Sequence, residues 1–101
     1  MASHRIASGS TPVGETAWQI YGANGIYVDI DTSSANFSAT PIYITSLGGD
    51  SEHWATTGCT SIYRATAIGF RVYIRWINGN PLTPTHANSK KWHVNWFGIE
   101  Y

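Results

Sequence analysis

The sequence predicts an all-β protein, a six-stranded antiparallel β-sandwich built as a single domain over residues 1–101. Three features predict it. Apolar and polar residues alternate with a period of two along short segments. Clusters of Gly, Pro and Asn interrupt those segments at close intervals. No stretch carries a long apolar pattern at helical spacing.

The elements follow in order. His4 to Ser8 makes a short first strand. In "GIYVDIDT", Ile26, Val28 and Ile30 share one face, and Tyr27, Asp29 and Asp31 share the other. "PIYITSL" sets Ile42 and Ile44 against Tyr43 and Thr45. "TSIYRAT", around Ile62, precedes a turn that ends at Gly69. "GFRVYIRW" is the clearest strand, with Phe70, Val72, Ile74 and Trp76 opposite Arg71, Tyr73 and Arg75. The breaks "TPVG", "YGANG", "SLGGD" and "INGNPLTP" are rich in residues that favour turns and left-handed backbone. "SEHWATTG" has room for one turn of helix and no more.

The last strand, in "KKWHVNWFGIEY", alternates Trp92, Val94 and Trp96 toward the core with His93, Asn95, Phe97, Ile99 and Tyr101 away from it. The second set begins polar and ends apolar. A bulge near Gly98, burial of both faces, or a second subunit would each account for the switch.

Composition narrows the function. Charged residues make up 12% of the chain and balance to zero, against about 25% in an average soluble domain. A nucleic-acid binder normally carries a basic stripe, and only Lys90-Lys91 and the pair Arg71 and Arg75 offer the start of one. Ser, Thr, Asn and Gly must supply the polar surface, which suits a neutral polyhydroxylated ligand or a subunit contact. Cys59 is the one cysteine, so no intrachain disulfide or paired-cysteine metal site forms. No run approaches the roughly 18 apolar residues of a membrane span. "MASHRIASGS" lacks the apolar centre of a signal peptide, and the compartment, extracellular or cytoplasmic, stays open. Asn36-Phe37-Ser38 is a formal glycosylation sequon.

Two segments hold the chemistry of a sugar site, which needs an aromatic face and a few fixed polar groups. In "GGDSEHW", Asp50, Glu52 and His53 accompany Trp54. Further on, Trp76 is followed by Asn78, Asn80 and His86. Each also reads as plain structure, Trp54 packing back on the sandwich and Asn78 to Pro81 forming a turn. Asp29 and Asp31 would pair with Arg71 and Arg75 if their strands are neighbours. Catalysis and metal binding have no motif to rest on. The four histidines lack the His-Glu-x-x-His spacing, no Gly-x-Ser-x-Gly elbow occurs, and the acids are too scattered for a glycosidase pair.

The segments "RIASG", "FSATPIYITSL", "SIYRATAIGFRVYIRW" and "VNWFGIEY", in that order, resemble the H-type lectins, the family of the snail agglutinins and the discoidin C-terminal domains. That resemblance implies a six-stranded sandwich that assembles as a homotrimer and binds sugars, often N-acetylgalactosamine, near subunit boundaries. Trp76 falls close to the family's sugar-contacting tryptophan. Ile77 stands where the snail lectin has histidine, and Thr57 falls near the position of its sugar-binding arginine. "NGNPLTPTHANSK" reads as an insertion before the last strand. The likeness therefore implies the fold and assembly, and leaves the sugar open.

The expectation is a non-catalytic, multivalent, carbohydrate-binding lectin acting in cell adhesion, with glycans or glycoconjugates as partners. It has no cofactor and no assigned metal ligand, with the need for calcium open, binds no nucleic acid and does not insert into membranes. Asp50, His53, Trp54, Trp76, Asn78 and His86 would contact the sugar, and Phe97, Ile99 and Tyr101 would form the trimer interface. The rival expectation is a trimerisation or adhesion module with no sugar site.

Overall fold

A computed structural model describes residues 4–101 as a β-sandwich. Among the described residues there are eight strands: β1 (Arg5–Ser10), β2 (Gln19–Tyr21), β3 (Gly25–Asp31), β4 (Ile42–Gly48), β5 (Thr56–Thr57), β6 (Tyr63–Thr66), β7 (Gly69–Trp76) and β8 (His93–Glu100). One sheet has the order β1-β8-β4. The other runs β2-β3-β7-β5, with β6 also pairing β7. All pairings are antiparallel. β5 and β6 share one edge of β7, the former beside Trp76 and Arg75, the latter beside Arg71 and Gly69.

The additional strands, β2 and β5, span three and two residues, too few to display an alternation. β1 extends to Ser10, beyond the expected end at Ser8. The turn in "SEHWATTG" is a single 3₁₀ turn, His53–Ala55. A short helix α1, Pro84–Ser89, has no apolar stripe to announce it. Its start is set by Pro84 in the first turn and by Thr83, whose hydroxyl accepts from the His86 N–H at 3.1 Å.

Ile26, Val28 and Ile30 of β3 and Phe70, Val72 and Ile74 of β7 face the three-stranded sheet across the core. Trp92, Val94 and Trp96 meet them, as the alternation requires. From β4 the inward residues are Tyr43 and Thr45, while Ile42 and Ile44 point to solvent. Each buried hydroxyl is satisfied. Tyr43 Oη donates to the Thr66 carbonyl at 2.7 Å and pairs with Thr32 Oγ1 at 2.7 Å. Thr45 Oγ1 donates to the Cys59 carbonyl at 2.6 Å. These bonds tie β4 to the opposite sheet.

β8 has no bulge at Gly98. Its register runs unbroken past Gly98 against both β1 and β4. Gly98 continues the inward row because a Cβ there would come within 2.8 Å of the Phe37 ring. The outer face is consequently apolar at this end. Ile6, Ile99 and Ile42 form one cross-strand row, and Ser8, Phe97 and Ile44 form the next.

Candidate functional site

The outer face of the five-stranded sheet carries a cluster of rings and charges placed by strand register. β3 and β7 pair Tyr27 with Tyr73 and Asp29 with Arg71. Arg71 grips Asp29 through Nε at 2.6 Å and Nη2 at 2.9 Å, as the two polar stripes led one to expect. The guanidinium carbon lies 4.1 Å from the centroid of the Tyr27 ring, and Nη1 donates to Tyr73 Oη at 3.3 Å. That hydrogen-bonded guanidinium holds the Asp29 carboxyl below its ordinary range, against the opposing effect of burial. Asp31 is engaged separately, accepting from the Ser33 N–H at 2.8 Å. Among the described residues no group of three or more His, Cys, Asp or Glu is placed to hold a metal ion.

Tyr73 is the hub of the rings. Its centroid lies 4.7 Å from that of Tyr21 and 4.9 Å from that of Tyr63, both exposed. These three line an open groove of about 590 Å³ that also receives Asn24, Ser61 and Arg75. Two glycines shape it. Gly25, in its lining, has its Cβ position 3.3 Å from the Ile74 carbonyl oxygen, so a side chain there would press on the backbone of β7. Gly58, at φ 114°, lets the β5–β6 loop lie directly on the Tyr73 carbonyl, where a Cβ has no room. The arrangement offers flat apolar ring surface beside neutral hydrogen-bonding groups and one cation.

A second cleft of about 440 Å³ lies on the other side of Thr57 and Gly58, which line both. Trp54 stands at it with 87% of its surface exposed, beside His53, Ser46, Thr56 and Thr60. Cys59 also lines it but is buried, and desolvation pushes its thiol up to about 11, so it stays protonated.

The structure brings the two sequence-predicted segments together but gives their members different duties. Glu52 bridges them, its carboxylate 2.9 Å from Lys90 Nζ and 3.3 Å from His86 Nε2. The His86 contact lacks hydrogen-bond alignment and is electrostatic when the imidazole is protonated. The Lys90 hydrogen bond is the chief reason that Glu52 titrates below its ordinary value. Trp76 and His86, 5.4 Å apart, both pack against Trp92. They are structural neighbours more than open contact surfaces. Asn78 is exposed in a tight turn, its side chain accepting from the Asn80 N–H at 2.9 Å. Asp50 is exposed, with its backbone N–H bound to the Lys90 carbonyl. Trp54 and His53 are the predicted pair that reaches a cleft.

Of the residues expected at an interface, Phe97 and Ile99 project from the outer face of the three-stranded sheet. Tyr101 lies past its end, edge-on to His4 at 4.8 Å. Exposed Ile6, Ile42 and Ile44 enlarge that apolar face. The tyrosine groove went unnoticed in the sequence. The signal for it was the pair of tyrosines, Tyr63 and Tyr73, on the polar faces of alternating strands, with Tyr21 beside the "YGANG" turn. No protein-family model matches this chain, and comparison with curated proteins also finds no match.

Proposed function

We propose that this protein is a non-catalytic lectin that binds carbohydrate in the tyrosine groove and presents several such sites through a homotrimer. The observation that carries this reading is the convergence of Tyr21, Tyr63 and Tyr73 in one groove with Asn24 and Ser61. The C–H face of a pyranose stacks on an aromatic ring, and its hydroxyls pair with neutral donors and acceptors at the ring's edge. Trp54, beyond the Thr57–Gly58 wall, supplies a further stacking surface for the next residues of a glycan chain. No carboxylate lines the groove, whereas glycoside hydrolysis ordinarily employs two across the scissile bond.

Assembly rests on the outer face of the three-stranded sheet, where Ile6, Ile42, Ile44, Phe97 and Ile99 adjoin. Monomers seldom leave a large contiguous apolar patch in water. Identical chains would cover it, in the trimer that the H-type resemblance implies, and joined sites gain avidity on a multivalent surface. The same face favours a second reading, an adhesion or trimerisation module in which the interface is the whole function.

A broad glycan array, with and without calcium, tests the first reading using the wild type and Tyr73→Ala. Selective binding that Tyr73→Ala abolishes, at unchanged oligomer mass, supports a lectin with this site. A blank array beside a stable oligomer supports the adhesion module.

A further inference from the structure

Resting on the glycan-binding reading, we infer that the tyrosine groove selects an acidic sugar, whose carboxylate is held by Arg75. Several charged groups around these surfaces are already engaged, whereas Asp50 and Arg64 lie outside the groove lining. Arg71 is occupied by Asp29 and Tyr73. Lys90 is paired with Glu52. Glu100 accepts from Ser38 and Ala39, and Asp31 from Ser33. Among the described residues Arg75 has no ion-pair partner. Its one hydrogen bond is a long contact, 3.5 Å from Nη1 to the Trp76 carbonyl.

Position turns this spare cation into a specificity element. Arg75 lines the groove next to Tyr73, and no Asp or Glu lines it as well. Its partner across the β5–β7 ladder is Thr57, too short to cover the guanidinium, and on the β3 side the groove is lined by Gly25. Five N–H donors in a planar fork match the two oxygens of a carboxylate. Arg71, four residues earlier on the same face, makes that bidentate pairing with Asp29. Arg75 is left to make it with a ligand. A uronic or nonulosonic acid carries its carboxylate directly on a ring carbon, so stacking on tyrosine and pairing with arginine fix one another. An ester sulfate hangs from a rotatable oxygen and lacks that coupling.

The test uses immobilised oligosaccharides ending in a uronic acid, in sialic acid, in the matched neutral sugar and in the 6-sulfated neutral sugar. Wild type, Arg75→Gln and Arg75→Lys are compared, each checked for wild-type melting. The expected result is preference for a carboxylated terminus. Arg75→Gln should weaken its binding by at least about tenfold, the scale of a charged hydrogen-bonded pair, and Arg75→Lys should restore part of it. Binding to the neutral sugar should fall by less than binding to the carboxylated one in both variants, so that the acidic-to-neutral preference itself is lost in Arg75→Gln. Equal binding of acidic and neutral termini, or preference for the sulfated one, overturns the inference and leaves the lectin reading standing. Failure of every terminus to bind the folded protein overturns both.

Discussion

Arg71 and Asp29 face each other across the β3–β7 ladder, joined by two hydrogen bonds of 2.6 and 2.9 Å. The same guanidinium covers Tyr27 and donates to Tyr73 Oη. One side chain therefore links an ion pair to the orientation of the hub ring in the groove. Arg71→Lys keeps the charge and loses the planar fork and the stacking. We expect it to fold normally by circular dichroism and to bind glycan roughly fivefold more weakly, the scale of one cation–π contact. Unchanged affinity would show that Tyr73 is held in place without Arg71.

Acid should destabilise the fold through identifiable carboxylates. Asp29, Asp31, Glu52 and Glu100 all titrate below their ordinary values of 3.8 for aspartate and 4.5 for glutamate. Each is bound more strongly as the anion in the folded state. Its contribution is fully present above the unfolded pKa and is lost as pH falls through the depressed folded pKa. Melting temperature should hold down to about pH 5 and then decline toward pH 2. In Asp29→Asn the decline should be shallower and the neutral-pH value lower. A flat profile through this window would mean that these exposed contacts contribute nothing to stability.

Glu52 is the tie between the Trp54 loop and the end of α1, and it holds φ 72°, a left-handed conformation that non-glycine residues adopt infrequently. Glu52→Gln removes the charge that Lys90 and His86 meet. Amide hydrogen exchange should quicken across residues 50–55 and stay unchanged in β3, β7 and β8. Equal protection in the variant would indicate that the backbone bonds Asp50 N–H to Lys90 and Ile77 N–H to Ala55 hold the loop unaided.

Tyr43 inside and Ile44 outside invert the simplest reading of "PIYITSL". Period two announces a strand with two faces, but it is symmetric and does not say which face is buried. The choice was made by partners far off in sequence, since Thr32, Thr66 and Cys59 receive the Tyr43 and Thr45 hydroxyls. Tyr43→Phe leaves the Thr32 hydroxyl and the Thr66 carbonyl short of a partner, at a cost of about 1 to 3 kcal/mol in chemical denaturation. A neutral substitution would mean that water replaces the phenol.

The same distinction governs what was legible elsewhere. Long strands such as β3 and β7, with Ile26, Val28 and Ile30 or Phe70, Val72 and Ile74 on one side, declare their buried face outright. Trp54 was visible as an aromatic in a polar loop. The groove was not, because Tyr21, Tyr63 and Tyr73 become neighbours only through the strand order β2-β3-β7 with β6 beside β7. Nor was the role of Trp76 and His86, which depends on Trp92 arriving against both of them from the last turn before β8.

The unbroken β8 sharpens the case for assembly. A bulge at Gly98 would have rotated Ile99 inward. With the register intact, Ile99 stays beside Ile6 and Ile42, and Phe97 beside Ile44. A charge in the middle of this face cannot be desolvated cheaply against a second copy. We expect the wild type to sediment as a trimer in analytical ultracentrifugation at micromolar concentration, and Ile44→Glu and Phe97→Glu each to yield a monomer. Both side chains point away from the core, so the melting of the isolated fold should survive. Binding to a single immobilised sugar should persist in the variants, while retention on a dense glycan surface should fall by two orders of magnitude or more, roughly the avidity that linked sites provide. A monomeric wild type would overturn the assembly, and with it the multivalency, and leave the groove to be judged alone.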